Sequence, residues 1–371
     1  MMSGARTNIL DLPRARLEAL FESLGEKPYR AAQLMKWIYH RNVTDFHEMT
    51  DLSKALRSVL SETCEVRAPH VAAERIAHDD TRKWIVELDD GSQVETVLIP
   101  DRGRNTLCVS SQVGCALDCS FCATGKQGFR RNLSAAEIIG QIRIADRAIG
   151  SDEDSRGITN VVLMGMGEPL LNFDNVVAAT SLMMDDLAFG ISKRRVTVST
   201  AGVVPAIYEL AKISDVSLAV SLHAATDELR DVLVPLNRRY PLAPLLDACR
   251  HYQRGIGQRR VVTFEYTLMR DVNDSLTHAE RVAALLRDIP CKVNLIPFNA
   301  FPGAAYERPT DETIRRFQTH LMNAGYATML RATRGDEIDA ACGQLVGAFE
   351  DRTRRRSRYI ARQRAEKANV A

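Results

Sequence analysis

The 371-residue sequence predicts an α/β fold: a parallel sheet preceded by a small helical domain and a short β connector. Three observations carry this. From about Asn105, short apolar runs alternate with amphipathic helical stretches, the pattern of parallel strands joined by crossover helices. Before Glu65, apolar residues recur at helical spacing. Between these regions, two strand-like runs flank a turn sequence.

In the first region Leu17, Leu20, Phe21 and Leu24 share one helix face. Gly25 to Pro28 breaks that helix, and Ala32 to Tyr39 and Leu52 to Leu60 resume the pattern. Lys83–Leu88 and Gln93–Ile99 read as a hairpin closed by Asp89-Asp90-Gly91-Ser92. Six strands follow: Thr106–Gln112, Asn160–Met164, Arg195–Thr200, Val216–Leu222, Val261–Leu268 and Lys292–Pro297. The helices between and after them are Ala135–Ala148, Asn175–Asp186, Pro205–Lys212, Leu242–Arg254, Leu276–Asp288 and Asp311–Asn323. Periodicity does not choose between a doubly wound sheet and an incomplete barrel. Either places active residues at the C-terminal strand ends. The expected segments are a helical domain over 1–66, a β-hairpin connector over 67–104, the main domain over 105–349 and a tail over 350–371.

Composition is that of an ordinary globular protein, 45 % hydrophobic and 26 % charged, which excludes coiled-coil, collagenous and mostly disordered chains. The net charge of +2 hides an asymmetry. Arg352–Ala371 holds eight basic residues and one acid, a net +7, which leaves −5 for the rest. Such a tail suits a phosphate backbone, and equally a solvated terminus. The N-terminus lacks a secretory pattern, and no run approaches the roughly 18 apolar residues of a membrane span. A cytoplasmic protein without a membrane association is expected.

In that reducing setting the eight cysteines point to metal or redox chemistry. Cys115-Ala-Leu-Asp-Cys119-Ser-Phe-Cys122 places three thiols within eight residues, just after a predicted strand. A structural zinc ion needs a fourth donor, for which Cys108, His223 or a distant cysteine is available. A four-iron cluster held by three thiolates keeps one iron open.

The C-x3-C-x2-C spacing with Phe121 before its last cysteine resembles the radical S-adenosylmethionine superfamily. Gly165-Met166-Gly167-Glu168-Pro169 resembles its glycine-rich loop for the methionine amino group. Glycines permit close backbone approach, and Glu168 can pair with an ammonium. More narrowly, the chain resembles the RlmN/Cfr family of RNA methyltransferases from about Leu17 to Phe349. The matching stretches include Gln112–Cys115, Phe121–Phe129, Leu163–Asn172, Ser199–Gly202, Ser221–Ala224, Ile296–Asn299 and Thr333–Leu345. Lys27-Pro-Tyr-Arg-Ala and Trp37-Ile-Tyr39 are similar to the family's accessory domain. Asp118 stands where Asn is expected, and Ala123 where Ser is usual.

The resemblance implies an incomplete (β/α)6 radical-SAM barrel with an RNA-side helical domain. It implies one [4Fe–4S] cluster on Cys115, Cys119 and Cys122, and S-adenosylmethionine held by Gly167, Glu168, Ser199, Ser221, Leu222, His223 and Asn299. Cys342 is implied to take a methyl group from one S-adenosylmethionine. A second is cleaved to a radical that activates the S-methyl group for addition to adenine. Cys108 then attacks Cys342 sulfur, leaving a disulfide. Glu95 is the implied base for the C2 proton, with Cys108 as the other candidate. Cys342 is expected at a helix start, where its thiol acidity rises. Cys64, Cys249 and Cys291 match no motif. The implied substrates are adenine 2503 of 23S rRNA and adenine 37 of certain tRNAs. The implied electron donor resembles flavodoxin or ferredoxin, and the enzyme is expected to be a monomer. The alternatives are a Cfr-type enzyme methylating C8 of the same rRNA adenine, and a non-catalytic zinc or iron–sulfur RNA module.

Overall fold

The computed structural model describes residues 6–101, 103–150, 157–257, 260–332 and 334–347. The expected basic tail lies outside them.

One ten-stranded sheet organises the chain, its strands lying side by side in chain order. They are β1 (His70–Ile76), β2 (Arg82–Glu87), β3 (Gln93–Asp101), β4 (Arg104–Cys108), β5 (Asn160–Leu163), β6 (Val196–Thr200), β7 (Ser217–Ser221), β8 (Val262–Leu268), β9 (Cys291–Pro297) and β10 (Ala327–Leu330). The first four run antiparallel, and β4 to β10 run parallel. The hairpin connector is therefore continuous with the parallel sheet, because β3 pairs with β4 from Val97 opposite Cys108. All six expected strands are present, joined by a seventh parallel strand, β10, which the sequence reading omits.

The expected strand Thr106–Gln112 divides. β4 stops at Cys108, and Gln112–Gly114 leaves the sheet to pair with Phe129–Asn132. That departure carries the cysteine segment across the C-terminal strand ends.

Ile99, Thr106, Val162, Thr197, Thr263 and Asn294 come from six different strands, yet they line one cavity of about 480 Å³. The sheet thus curls around an interior, and its edges β1 and β10 do not pair with each other. Residues 331–332 and 334–347 lie across this gap. Arg331 N donates to Leu295 O at 2.8 Å on one side, and Lys83 Nζ reaches Asp339 O at 3.1 Å on the other. The fold is a partial barrel strapped by its own C-terminal segment.

The crossover helices bury their apolar stripes on the outer face of the sheet. In Ala135–Ile149, Ile138, Ile139 and Ile142 are fully buried. A reciprocal capping box starts this helix: Glu137 N donates to Ser134 Oγ at 3.2 Å, and Ser134 N donates to Glu137 Oε2 at 2.9 Å. Such a cap stabilises by about 0.5–2 kcal/mol. The N-terminal helices Arg14–Ser23, Tyr29–Met35 and Lys54–Thr63 share the same apolar core through Leu17, Leu34 and Leu56. Arg143 Nη1 donates to Ile38 O at 2.8 Å, and Arg14 pairs with Asp185. No helix among the described residues is long and apolar enough to cross a membrane.

Candidate active site

The loop after β5 is shaped by what its glycines allow. A Cβ at Gly165 would lie 2.7 Å from Val109 O. Gly167 has φ +102, and a Cβ there would meet Gln112 Cβ at 2.5 Å. These close approaches turn Glu168 inward. Its Oε1 accepts from Leu170 N at 3.0 Å and its Oε2 from Ala201 N at 2.7 Å. Burial pushes its carboxyl up to about 7 against these hydrogen bonds.

The cysteine segment folds over the same end of the barrel. Cys115 N donates to Gly128 O at 2.7 Å, and Ala123 N donates to Gly343 O at 2.8 Å. Asp118 has φ +54, a left-handed conformation that Asn and Asp tolerate best. That accounts for the exchange of the expected Asn for Asp. Cys115, Cys119 and Cys122 line a second cavity of about 150 Å³ with Gly167, Glu168, Ser199, Ser221 and His223. Burial pushes the Cys119 thiol well above its ordinary value, and the neighbouring Cys115 and Cys122 push it further. Three crowded thiols ionise together only with a cationic centre among them, as a metal cluster supplies. Among the described residues, no three His, Cys, Asp or Glu side chains gather around a single metal-ion position. Cys115, Cys119 and Cys122 would hold a four-iron cluster, which would supply one-electron chemistry at this end of the barrel.

His223 stands at the end of β7 with φ +58, a rare conformation for a non-glycine residue. Its Nδ1 accepts from Thr267 N at 3.0 Å, and its ring packs edge-on against Phe121 at 4.5 Å. Burial, helped by Arg230, depresses its pKa to about 3, so the imidazole is neutral. With Nδ1 accepting, the proton sits on Nε2.

Sequence reasoning missed Arg230. Its buried guanidinium donates to Leu222 O at 3.0 Å, Asn237 Oδ1 at 2.9 Å, Ala201 O at 2.7 Å and Ser221 O at 2.9 Å. It binds together the ends of β6 and β7, which carry Ser199, Ser221 and His223. The one available signal was an arginine in the otherwise amphipathic stretch after Ser221-Leu-His.

Cys342 does not start a helix, contrary to expectation. Residues 342–344 form a turn. Gln344 N bonds Ala341 O at 3.1 Å, and Gly343 has φ +87, which a continuing helix does not permit. The positive influence on the thiol comes from Arg331 instead, acting against burial, which pushes the thiol up. Cys108, at the end of β4, is buried, and its thiol is pushed up to about 12 by burial and by Cys342. Cys108 therefore lies within electrostatic reach of Cys342, far away in sequence, and Arg331 acts on both. Cys342 lines both cavities.

Comparison with known proteins identifies the arrangement. Residues 109–282 match the family model of the radical SAM superfamily, spanning the cysteine segment and the glycine loop. Residues 7–66 match the ribosomal RNA large subunit methyltransferase N-terminal domain. Over 361 residues the chain is 60 % identical to the dual-specificity RNA methyltransferase RlmN of Pseudomonas fluorescens, covering 97 % of this chain and 94 % of that one. It is 59 % identical to the RlmN of Marinobacter nauticus, covering 97 % and 98 %. The chain belongs to the RlmN family. A crystal structure of a radical SAM methyltransferase from Sphaerobacter thermophilus superimposes with a TM-score of 0.84 at 44 % identity, covering 91 % of this chain and 99 % of that one.

As an RlmN-family member the protein is a radical SAM RNA methyltransferase, working with a three-cysteine [4Fe–4S] cluster and S-adenosylmethionine. Of the remaining expected RlmN site residues, Asn299 lines the larger cavity, and its Nδ2 donates to Cys342 O at 3.2 Å. Leu222 and Glu95 are among the described lining residues of neither cavity. Leu222 is core, with its N–H on Glu265 O at 2.9 Å. Glu95 is buried on β3, its Oε1 3.3 Å from Lys83 Nζ and its Oε2 accepting from Val346 N at 3.2 Å. Burial raises its pKa, opposed by Lys83.

Proposed function

We propose that this RlmN-family enzyme methylates C2 of adenine 2503 in 23S rRNA and of adenine 37 in tRNAs. The observation that carries the reading is the place of Cys342, on the wall of both cavities and within the electrostatic reach of Cys108. C2 of adenine lies between two ring nitrogens and is electron-poor, so it does not attack a sulfonium methyl group. When bound, the reduced cluster and S-adenosylmethionine supply the radical chemistry that such a carbon needs.

The chain's residues do the rest. Cys115, Cys119 and Cys122 hold the cluster. Glu168 takes the ammonium of S-adenosylmethionine, and the ends of β5, β6 and β7 bind it through Gly167, Ser199, Ser221 and His223, with Asn299 on the larger cavity; Leu222, expected among these contacts, backs the site from the core. Cys342 Sγ accepts the methyl group and carries the carbon to the base. Cys108 attacks Cys342 sulfur and releases methylated RNA, leaving a disulfide. Glu95 is the proton acceptor at C2 in this reading, and Cys108 is the other group suited to the role. The reading is of a cytoplasmic monomer reduced by a flavodoxin- or ferredoxin-like donor. The target base must leave its stack to reach this interior.

Anaerobic reconstitution with rRNA and tRNA, followed by nucleoside mass spectrometry, tests the proposal. C2-methyladenosine is expected. C8-methyladenosine, the Cfr-type product, refutes the choice of carbon.

A further inference from the structure

Four side chains line both cavities: Met164, Glu265, Ile296 and Cys342. Only Glu265 and Cys342 carry exchangeable protons. Glu265 lies buried on β8. Its Oε1 accepts from Asn294 Nδ2 at 3.0 Å. Among the described residues its other carboxylate oxygen has no hydrogen bond, and no basic side chain lies within 4 Å of it. Arg331 lines the larger cavity beside both groups. It has no carboxylate partner among the described residues, and its Nη1 lies 3.7 Å from Met164 Sδ. Arg331 opposes the effect of burial on both the Cys342 and the Cys108 thiols, so it lies within electrostatic reach of each.

Methylating Cys342 from a sulfonium requires its thiol proton to leave, and burial makes the free thiolate scarce. A carboxylate with an open oxygen at the junction meets that need.

We propose that Glu265 takes the thiol proton of Cys342 as that sulfur accepts its methyl group, with Arg331 stabilising the developing thiolate. The Sγ–CH3 bond forms as the sulfonium S–CH3 bond breaks. The electron pair of the broken bond stays on the departing thioether, and the proton passes to Glu265. No oxidant or reductant is consumed. The inference rests on the reading of Cys342 as methyl acceptor, and it is a different proton transfer from the one at adenine C2.

The test uses the cluster-loaded full chain with S-adenosylmethionine, without reductant or RNA. Peptide mass spectrometry follows S-methylation of Cys342, alongside cluster absorbance and S-adenosylmethionine binding. Glu265→Gln is expected to slow methylation at least about 100-fold while binding holds. Glu265→Asp is expected to keep most of the rate, and acetate admitted to the cavity should restore Glu265→Ala at least about tenfold. Methylation of Glu265→Gln at the native rate overturns the inference. Should Glu265→Gln fail to load its cluster, Glu265→Asp decides: loss as complete as in Glu265→Ala, with S-adenosylmethionine bound, also overturns it. If the native chain binds S-adenosylmethionine yet never methylates Cys342, the methyl-acceptor reading itself fails.

Discussion

Glu168 Oε2 accepts a hydrogen bond from the Ala201 backbone N–H at 2.7 Å, so the loop after β5 is latched to the end of β6. The latch holds a carboxyl whose burial has pushed it up to about 7. Below that pH it is protonated and has no charge to offer an ammonium; above it the carboxylate is present. S-adenosylmethionine affinity should therefore fall about tenfold per unit on the acid side of pH 7. Glu168→Gln should bind weakly and lose this pH dependence. Isothermal titration across pH 5 to 8 measures both.

Arg230 makes a second prediction. Replacing it with Met removes the donors that Arg230 gives to the carbonyls of Ala201 and Ser221 and to Asn237 Oδ1, whereas Leu222 O keeps its bond from Ala224 N. Each unsatisfied acceptor costs about 1–3 kcal/mol, so Arg230→Met should lose about 3 kcal/mol or more in urea unfolding. Arg230→Lys should recover only part, because one ammonium does not reproduce the planar fork.

Gly167→Ala should strain the loop at φ +102 and drive a Cβ into Gln112, whose Oε1 accepts from Glu168 N at 2.9 Å. A cost of about 1–3 kcal/mol is expected, together with weaker S-adenosylmethionine binding, read by thermal unfolding and titration.

Deleting Arg352–Ala371 removes a net +7. RNA affinity should fall and its dependence on salt should flatten, as measured by filter binding across a salt series. Unchanged affinity at every salt concentration removes the tail from RNA binding.

The parallel strands were legible because burial on both faces writes each as an apolar run, as in Val216–Leu222. The edges were not. All of β1 is exposed, and three of the four residues of β10 are exposed, so neither shows alternation. The cysteine cluster was legible because its thiols lie within eight residues of one another. Glu265 and Arg331 acquire their roles only when strands distant in sequence converge, and nothing local marks them. Cys342 shows the same limit in reverse. Its Ala-Ala-Cys-Gly context suits a helix start, yet the chain turns there and brings Gly343 O onto Ala123 N beside the cysteine segment.

The two-thiol route from Cys342 to Cys108 is tested most directly by the covalent RNA–protein adduct on denaturing gels. Cys108→Ala is expected to accumulate the adduct, since the thiol that resolves it is gone, and Cys342→Ala should form none. Release of C2-methylated RNA in repeated turnovers by either variant contradicts the account.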